Sequence, residues 1–147
     1  MPKWRWANVP LPEVHLVGLG VGFLVQRIAP WTLSRPSWVG HILGWSSVLT
    51  GLLLVAWAVR TAADVDLERP NQLVRGGPYA FSRNPMYVAW TLAYVGIALL
   101  ADAAWPLLLL PAVLAVTHIV IVREERSLER RFGTAYRSYK RSVRRYL

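Results

Sequence analysis

Four stretches of this chain, residues 14–29, 38–59, 86–101 and 105–122, are almost purely apolar, and nothing else in it limits the fold so tightly. A helix rises 1.5 Å per residue, so runs of this length cover about 24–33 Å, close to the roughly 30 Å of bilayer hydrocarbon. In hydrocarbon every backbone N–H and C=O must be satisfied within the protein, and a single segment can do that only as a helix. The expected fold is therefore all-α: an integral membrane bundle of about four transmembrane helices. The first stretch is short and should tilt little or borrow its flanks. Pro111 lies inside the fourth and should kink it. Gly18 and Gly22, then Gly40, Gly44, Ser47 and Gly51, then Ala89, Ala93 and Gly96, recur at helical spacing and make smooth faces. Such faces let helices approach closely. The one on the second stretch would alternatively admit a flat adenine ring. The third and fourth stretches, joined by Ala101-Asp102-Ala103-Ala104, read as an antiparallel hairpin.

Charge sets the direction of threading. The 147 residues carry 17 Lys and Arg against 8 Asp and Glu, a net +9. In a soluble domain that balance points to nucleic acid. No RNA-binding signature is present, however, and the cations are sorted by the apolar runs. Lys3 and Arg5 precede the first run; Arg60, Arg69, Arg75 and Arg83 lie between the second and third; nine Lys and Arg follow the fourth. Only Arg27 and Arg35 fall on the other side. The positive-inside rule then places both termini and the 60–85 loop in the cytoplasm. The expected partners are membrane lipid and a small lipophilic substrate, with no nucleic acid. Residues 1–12, with Trp4 and Trp6 beside their cations, read as an interfacial lead-in. In residues 123–147, Leu128, Phe132, Tyr136, Tyr139 and Val143 recur every three or four positions. They predict one amphipathic helix on the membrane surface or folded back over the bundle. Cysteine is absent, which excludes disulfides, thiolate metal sites and a cysteine nucleophile, and no metal site is expected.

The most informative polar segment runs from Asn71 to Trp90, on the cytoplasmic side. Gly76-Gly77-Pro78 cannot sit inside a helix. Ser82 or Asn84 can cap the next helix, with Pro85 at its first position, where no N–H is needed. Free backbone N–H groups beside Arg75 and Arg83 would suit a carboxylate or phosphate.

Two motifs in order carry a resemblance. The first is Gly77-Pro78-Tyr79 with Arg83-Asn84-Pro85-Met86-Tyr87. The second, after an apolar hairpin, is Glu124-Glu125, Leu128, Phe132-Gly133, Tyr136 and Tyr139. From about Asp64 to the end, the chain resembles the isoprenylcysteine carboxyl methyltransferase and phospholipid methyltransferase superfamily. The resemblance implies an integral membrane enzyme that uses S-adenosylmethionine. By position it implies a cofactor site of Asn71, Gln72, Leu73, Val74, Tyr79, Asn84, Pro85, Met86 and Tyr87, with Glu124 from the far helix. Many members have histidine where this chain has Asn84, which keeps a hydrogen bond but carries no proton. The prenylcysteine enzymes place a substrate-binding arginine where this chain has Val120.

Glu124 and Glu125 end the fourth run, where negative charge opposes the helix dipole. They are read either as an ion pair with Arg83, Arg123 or Arg126, or as carboxylates for the ribose hydroxyls or ammonium of the cofactor. Arg83 and His118 are the candidate catalytic residues; His118 would equally serve as an interhelical hydrogen bond. No HExxH, no Ser-His-Asp order and no Walker loop is present, so hydrolase and NTPase chemistry has no support. The function expected is methyl transfer to a lipophilic acceptor. A phospholipid N-methyltransferase is the alternative among enzymes, and a non-catalytic membrane partner keeping only the fold is the alternative outside them.

Overall fold

The computed structural model describes residues 12–63, 65 and 72–147. All but Pro12 of the expected lead-in over residues 1–12, and the acidic part of the loop with Asp64, Asp66 and Glu68, lie outside them. Five α-helices follow one another: α1 (Glu13–Ile28), α2 (Ser37–Thr61), α3 (Pro85–Leu100), α4 (Ala104–Phe132) and α5 (Thr134–Ser142). Among the described residues there is no strand, and a single turn of 3-10 helix, Gly77–Ala80, precedes α3. Two helices, α2 and α4, are long and apolar enough to cross a membrane; α3 is apolar but shorter. Their outward faces expose large apolar side chains, among them Ile42, Leu49, Leu53, Leu114, Val116 and Ile119. A protein in water rarely shows so much contiguous apolar surface, whereas a bilayer covers it.

α3 packs along α2, and the small residues explain how closely. A Cβ on Gly44 would stand 2.7 Å from Leu100 Cγ, and one on Gly96 would stand 2.7 Å from the Gly44 carbonyl oxygen. α3 therefore fills the smooth face of α2, and the packing role holds there rather than a bed for an adenine ring. The buried cluster of Val55, Ala58, Val59, Met86 and Ala89 continues the contact toward the 3-10 turn.

α3 and α4 follow one another through the expected turn and touch, though α3 is not the main neighbour of α4. The turn is tight, with Asp102 at φ 49°. Yet α4 packs chiefly on α1, and α1 also meets α3 at mid-height. Gly18 stands against both Val113 of α4 and Tyr94 of α3. His15 Nε2 lies 3.0 Å from Thr91 Oγ1, and Tyr94 donates its hydroxyl to the Pro106 carbonyl at 2.7 Å. At the turn end, Arg35 bonds the Leu99 carbonyl and pairs with Asp102 at 3.6 Å. Trp105 Nε1 donates to the Ala29 carbonyl at 2.7 Å.

The single C-terminal helix expected over 123–147 is two helices and an extended tail. α4 runs past Val122 without interruption to Phe132. Gly133 then takes φ 51°, which a residue with a side chain rarely adopts, and α5 starts in a new direction. Val143 is extended, at φ −125° and ψ 135°. The predicted apolar stripe still does its work, since Tyr136 and Tyr139 are buried.

Candidate cofactor and acceptor site

The loop between α2 and α3 returns to the bundle at Gly77. Its φ is +55°, and a Cβ there would stand 2.4 Å from Thr61 Oγ1, so only glycine lets the chain pass the end of α2. Tyr79 then packs on the α2–α3 cluster, and its carbonyl accepts the Tyr139 hydroxyl at 2.6 Å. Arg75 donates to the Ala135 carbonyl at 2.9 Å. α5 is thereby held over the loop. Of the expected lead-in, Gln72 is exposed and Leu73 and Val74 are half-buried, while Asn71 lies outside the described residues.

Pro85 is the first residue of α3, as expected, but Asn84 does not cap it with its side chain. Asn84 Nδ2 instead donates to Glu125 Oε1 at 3.2 Å and to the Arg145 carbonyl at 3.1 Å, while Ser82 Oγ accepts the Asn84 N–H. Pro85 and Met86 are buried and face the core.

Glu125 is the centre of this arrangement. Its Oε1 accepts Arg83 Nε at 3.1 Å as well as Asn84, and its Oε2 accepts Arg145 Nε and Nη2 at 3.2 and 2.9 Å. Arg83 also donates to the carbonyls of Lys140 and Val143 at 3.0 and 2.7 Å. The side chains of Glu125 and Arg83 are 4% and 7% exposed. Burial alone would push the carboxyl upward, but the hydrogen bonds and charges of Arg145 and Arg83 outweigh it and hold Glu125 below the ordinary carboxylate range. The two Arg145 contacts hold the tail on α4, and those of Arg83 and Asn84 tie the loop to the same carboxylate. The ion-pair reading of the acidic pair therefore describes Glu125.

Glu124 is different. It is exposed, and its Oε1 accepts the Tyr87 hydroxyl at 2.8 Å. That bond joins the two motifs, one on α3 and one on α4. His118 is exposed, with Nδ1 2.6 Å from the Tyr146 hydroxyl, so it meets the tail rather than another span. Tyr79, Arg83, Asn84, Tyr87, His118, Glu124 and Glu125 thus share one end of the bundle. Sequence reasoning missed Arg145 and Tyr146. The signal available was a buried-end carboxylate needing cations and a pair of arginines beyond the last helical repeat.

A helical protein with membrane-length apolar helices and a carboxylate–aromatic pair at one end is a membrane-associated protein with a polar site at its interface. Within that class, the family model described as phospholipid methyltransferase matches residues 39–135. The chain belongs to the phospholipid methyltransferase family, and it is by that membership a membrane methyltransferase. No curated protein and no solved structure matches it.

Proposed function

We propose that this protein transfers a methyl group from S-adenosylmethionine to a small lipophilic acceptor in the bilayer. It crosses the membrane four times, with both termini and the 60–85 loop in the cytoplasm. The observation that carries this reading is the Tyr87–Glu124 hydrogen bond, which unites the two halves of the family's motif at one end of the bundle.

The residues suit the cofactor. Glu124 has one oxygen bonded to Tyr87 and is otherwise open, so it has lone pairs for ribose hydroxyls or an ammonium. Arg75 is exposed and offers its remaining donors to a carboxylate. Gln72, Leu73, Val74 and, by position, Asn71 form the approach. Tyr79, Tyr87 and Trp90 supply aromatic faces that attract a cation. Glu125, with four donors, and Arg83, with three acceptors, hold this frame in place instead of binding the cofactor themselves. When bound, S-adenosylmethionine supplies an electrophilic methyl on a sulfonium. The chain's part is to align the acceptor and keep water out. An apolar groove of about 220 Å³ beside this end, lined by Leu54, Trp57, Pro78, Phe81, Val88 and Leu147, favours a lipophilic acceptor. Val120, in place of a substrate arginine, favours an amine or hydroxyl over a carboxylate.

The family description is compatible with a phospholipid as the acceptor, and a phospholipid N-methyltransferase is the alternative form of this activity. Calorimetric titration of S-adenosylmethionine into protein in nanodiscs, followed by transfer of labelled methyl into a lipid extract, tests the reading. Saturable binding with label in lipid is expected. Folded protein that binds no cofactor would leave a non-catalytic membrane partner instead.

A further inference from the structure

Threonine in a helix commonly returns its hydroxyl to the carbonyl four residues back. Thr61 does so with Trp57, and Thr91 with Tyr87, both at 2.9 Å. Thr117 does not. It is 4% exposed, and its Oγ1 has no hydrogen-bond partner among the described residues. A buried hydroxyl left unmade destabilises the fold that contains it, so a polar group brought to Thr117 would gain a hydrogen bond at no loss to the protein.

Its place in the bundle indicates which. Gly18 of α1 meets Val113 of α4 and Tyr94 of α3. α1 and α3 run away from the Tyr87–Glu124 end, and α4 runs toward it. One turn closer to that end, the same three faces present His15, Thr117 and Thr91. His15 is 3% exposed and bonded to Thr91. The single Thr91 hydroxyl proton goes to the Tyr87 carbonyl, so His15 Nε2 is the donor and Nδ1 keeps its lone pair. Tyr87, one further turn along α3, carries the hydroxyl bonded to Glu124. No lysine or arginine lies within a turn of His15, Thr91 or Thr117 along the chain, so an anionic headgroup would find no counter-charge at this level.

We propose that Thr117 Oγ1 and His15 form the polar half of the acceptor subsite, and that they receive a neutral amine or hydroxyl headgroup. This rests on the methyltransferase reading of the Tyr87–Glu124 end and places the acceptor one helical turn beneath it. Thr117→Val tests it, because valine keeps the shape and removes only the unpaired hydroxyl. The protein is assayed in nanodiscs made from a total lipid extract of its source membranes, with methyl-labelled S-adenosylmethionine. Expected are an unchanged or raised melting temperature, unchanged cofactor affinity by calorimetry, and transfer to lipid reduced about threefold to tenfold. Thr117→Ser, which restores the hydroxyl, should recover most of the rate. Transfer at the wild-type rate by Thr117→Val would overturn the proposal. So would a loss of cofactor affinity or melting temperature in parallel with rate, since that marks a structural role. Failure of the wild type itself to bind cofactor or label any lipid would instead remove the methyltransferase reading beneath it.

Discussion

Two adjacent carboxylates meet different surroundings, and substitution should separate them. Glu125 divides its oxygens between Arg83 with Asn84 and Arg145, all within a buried junction. Removing one partner of a buried ion pair strands the others, at a cost of about 3–5 kcal/mol. Glu125→Gln should lower the melting temperature in detergent by that equivalent. Glu124→Gln should barely move it, because exposed pairs contribute about 0–1 kcal/mol. The cofactor should report the reverse order: calorimetry is expected to show a loss of roughly tenfold or more for Glu124→Gln, the scale of a charge-assisted hydrogen bond. Equal losses of affinity in the two variants would refute the assignment. Acidification gives an independent check on Glu125. Its carboxyl titrates below the ordinary range in the folded protein. The stability it provides is complete above the unfolded pKa, about 4.3 for glutamate, and is lost as pH falls through the folded value. Thermal melts between neutral pH and about pH 3 should show a fall in the wild type that Glu125→Gln largely lacks.

The break between α4 and α5 is a backbone device. Gly133 takes φ 51°, yet a Cβ there would touch nothing within 4 Å. Gly133→Ala should therefore act through strain alone, at about 1–3 kcal/mol. Hydrogen exchange should rise first in α5 and the Arg83–Tyr87 segment, which α5 and the tail hold down; uniform loss across α2 and α3 would show that the break is not local. The elements themselves were legible in the chain. The first three apolar runs end within two residues of their helices, Pro85 starts α3, and Tyr136 and Tyr139 are the buried faces that their spacing implied. The motif residues Tyr79, Asn84, Tyr87, Glu124 and Glu125 likewise converge. Three features were hidden, each for the same physical reason. The extended form of the tail at Val143 and Arg144 depends on the Ser82–Arg144 bridge and on Arg83, which donates to the Val143 carbonyl. Asn84 forgoes capping because its amide is turned to donate to Glu125 and to the Arg145 carbonyl. The choice of α1 rather than α3 as the main neighbour of α4 lies in shape complementarity between distant helices. None of these is a local preference of the residues concerned.

For the molecule as a whole, the threading can be read directly because the chain has no cysteine of its own. Single cysteines at Gln72 and Ser138, both exposed, should label from one side of sealed vesicles, and one at Thr32 from the other. Reaction of Gln72→Cys and Ser138→Cys from opposite faces would contradict four crossings. The position of α1 has a further consequence, one of timing. Its contacts to Thr91 and Trp105 each span 76 residues of chain. At about 5–20 residues per second, translation needs roughly 4–15 s to supply those partners after α1 has emerged. α2 is made next but contributes its close-packed face to α3. During that interval α1 lacks these partners, with a polar imidazole and two glycines uncovered. Assembly is then a late docking of the first helix against α4, with α3 alongside, after both have been made.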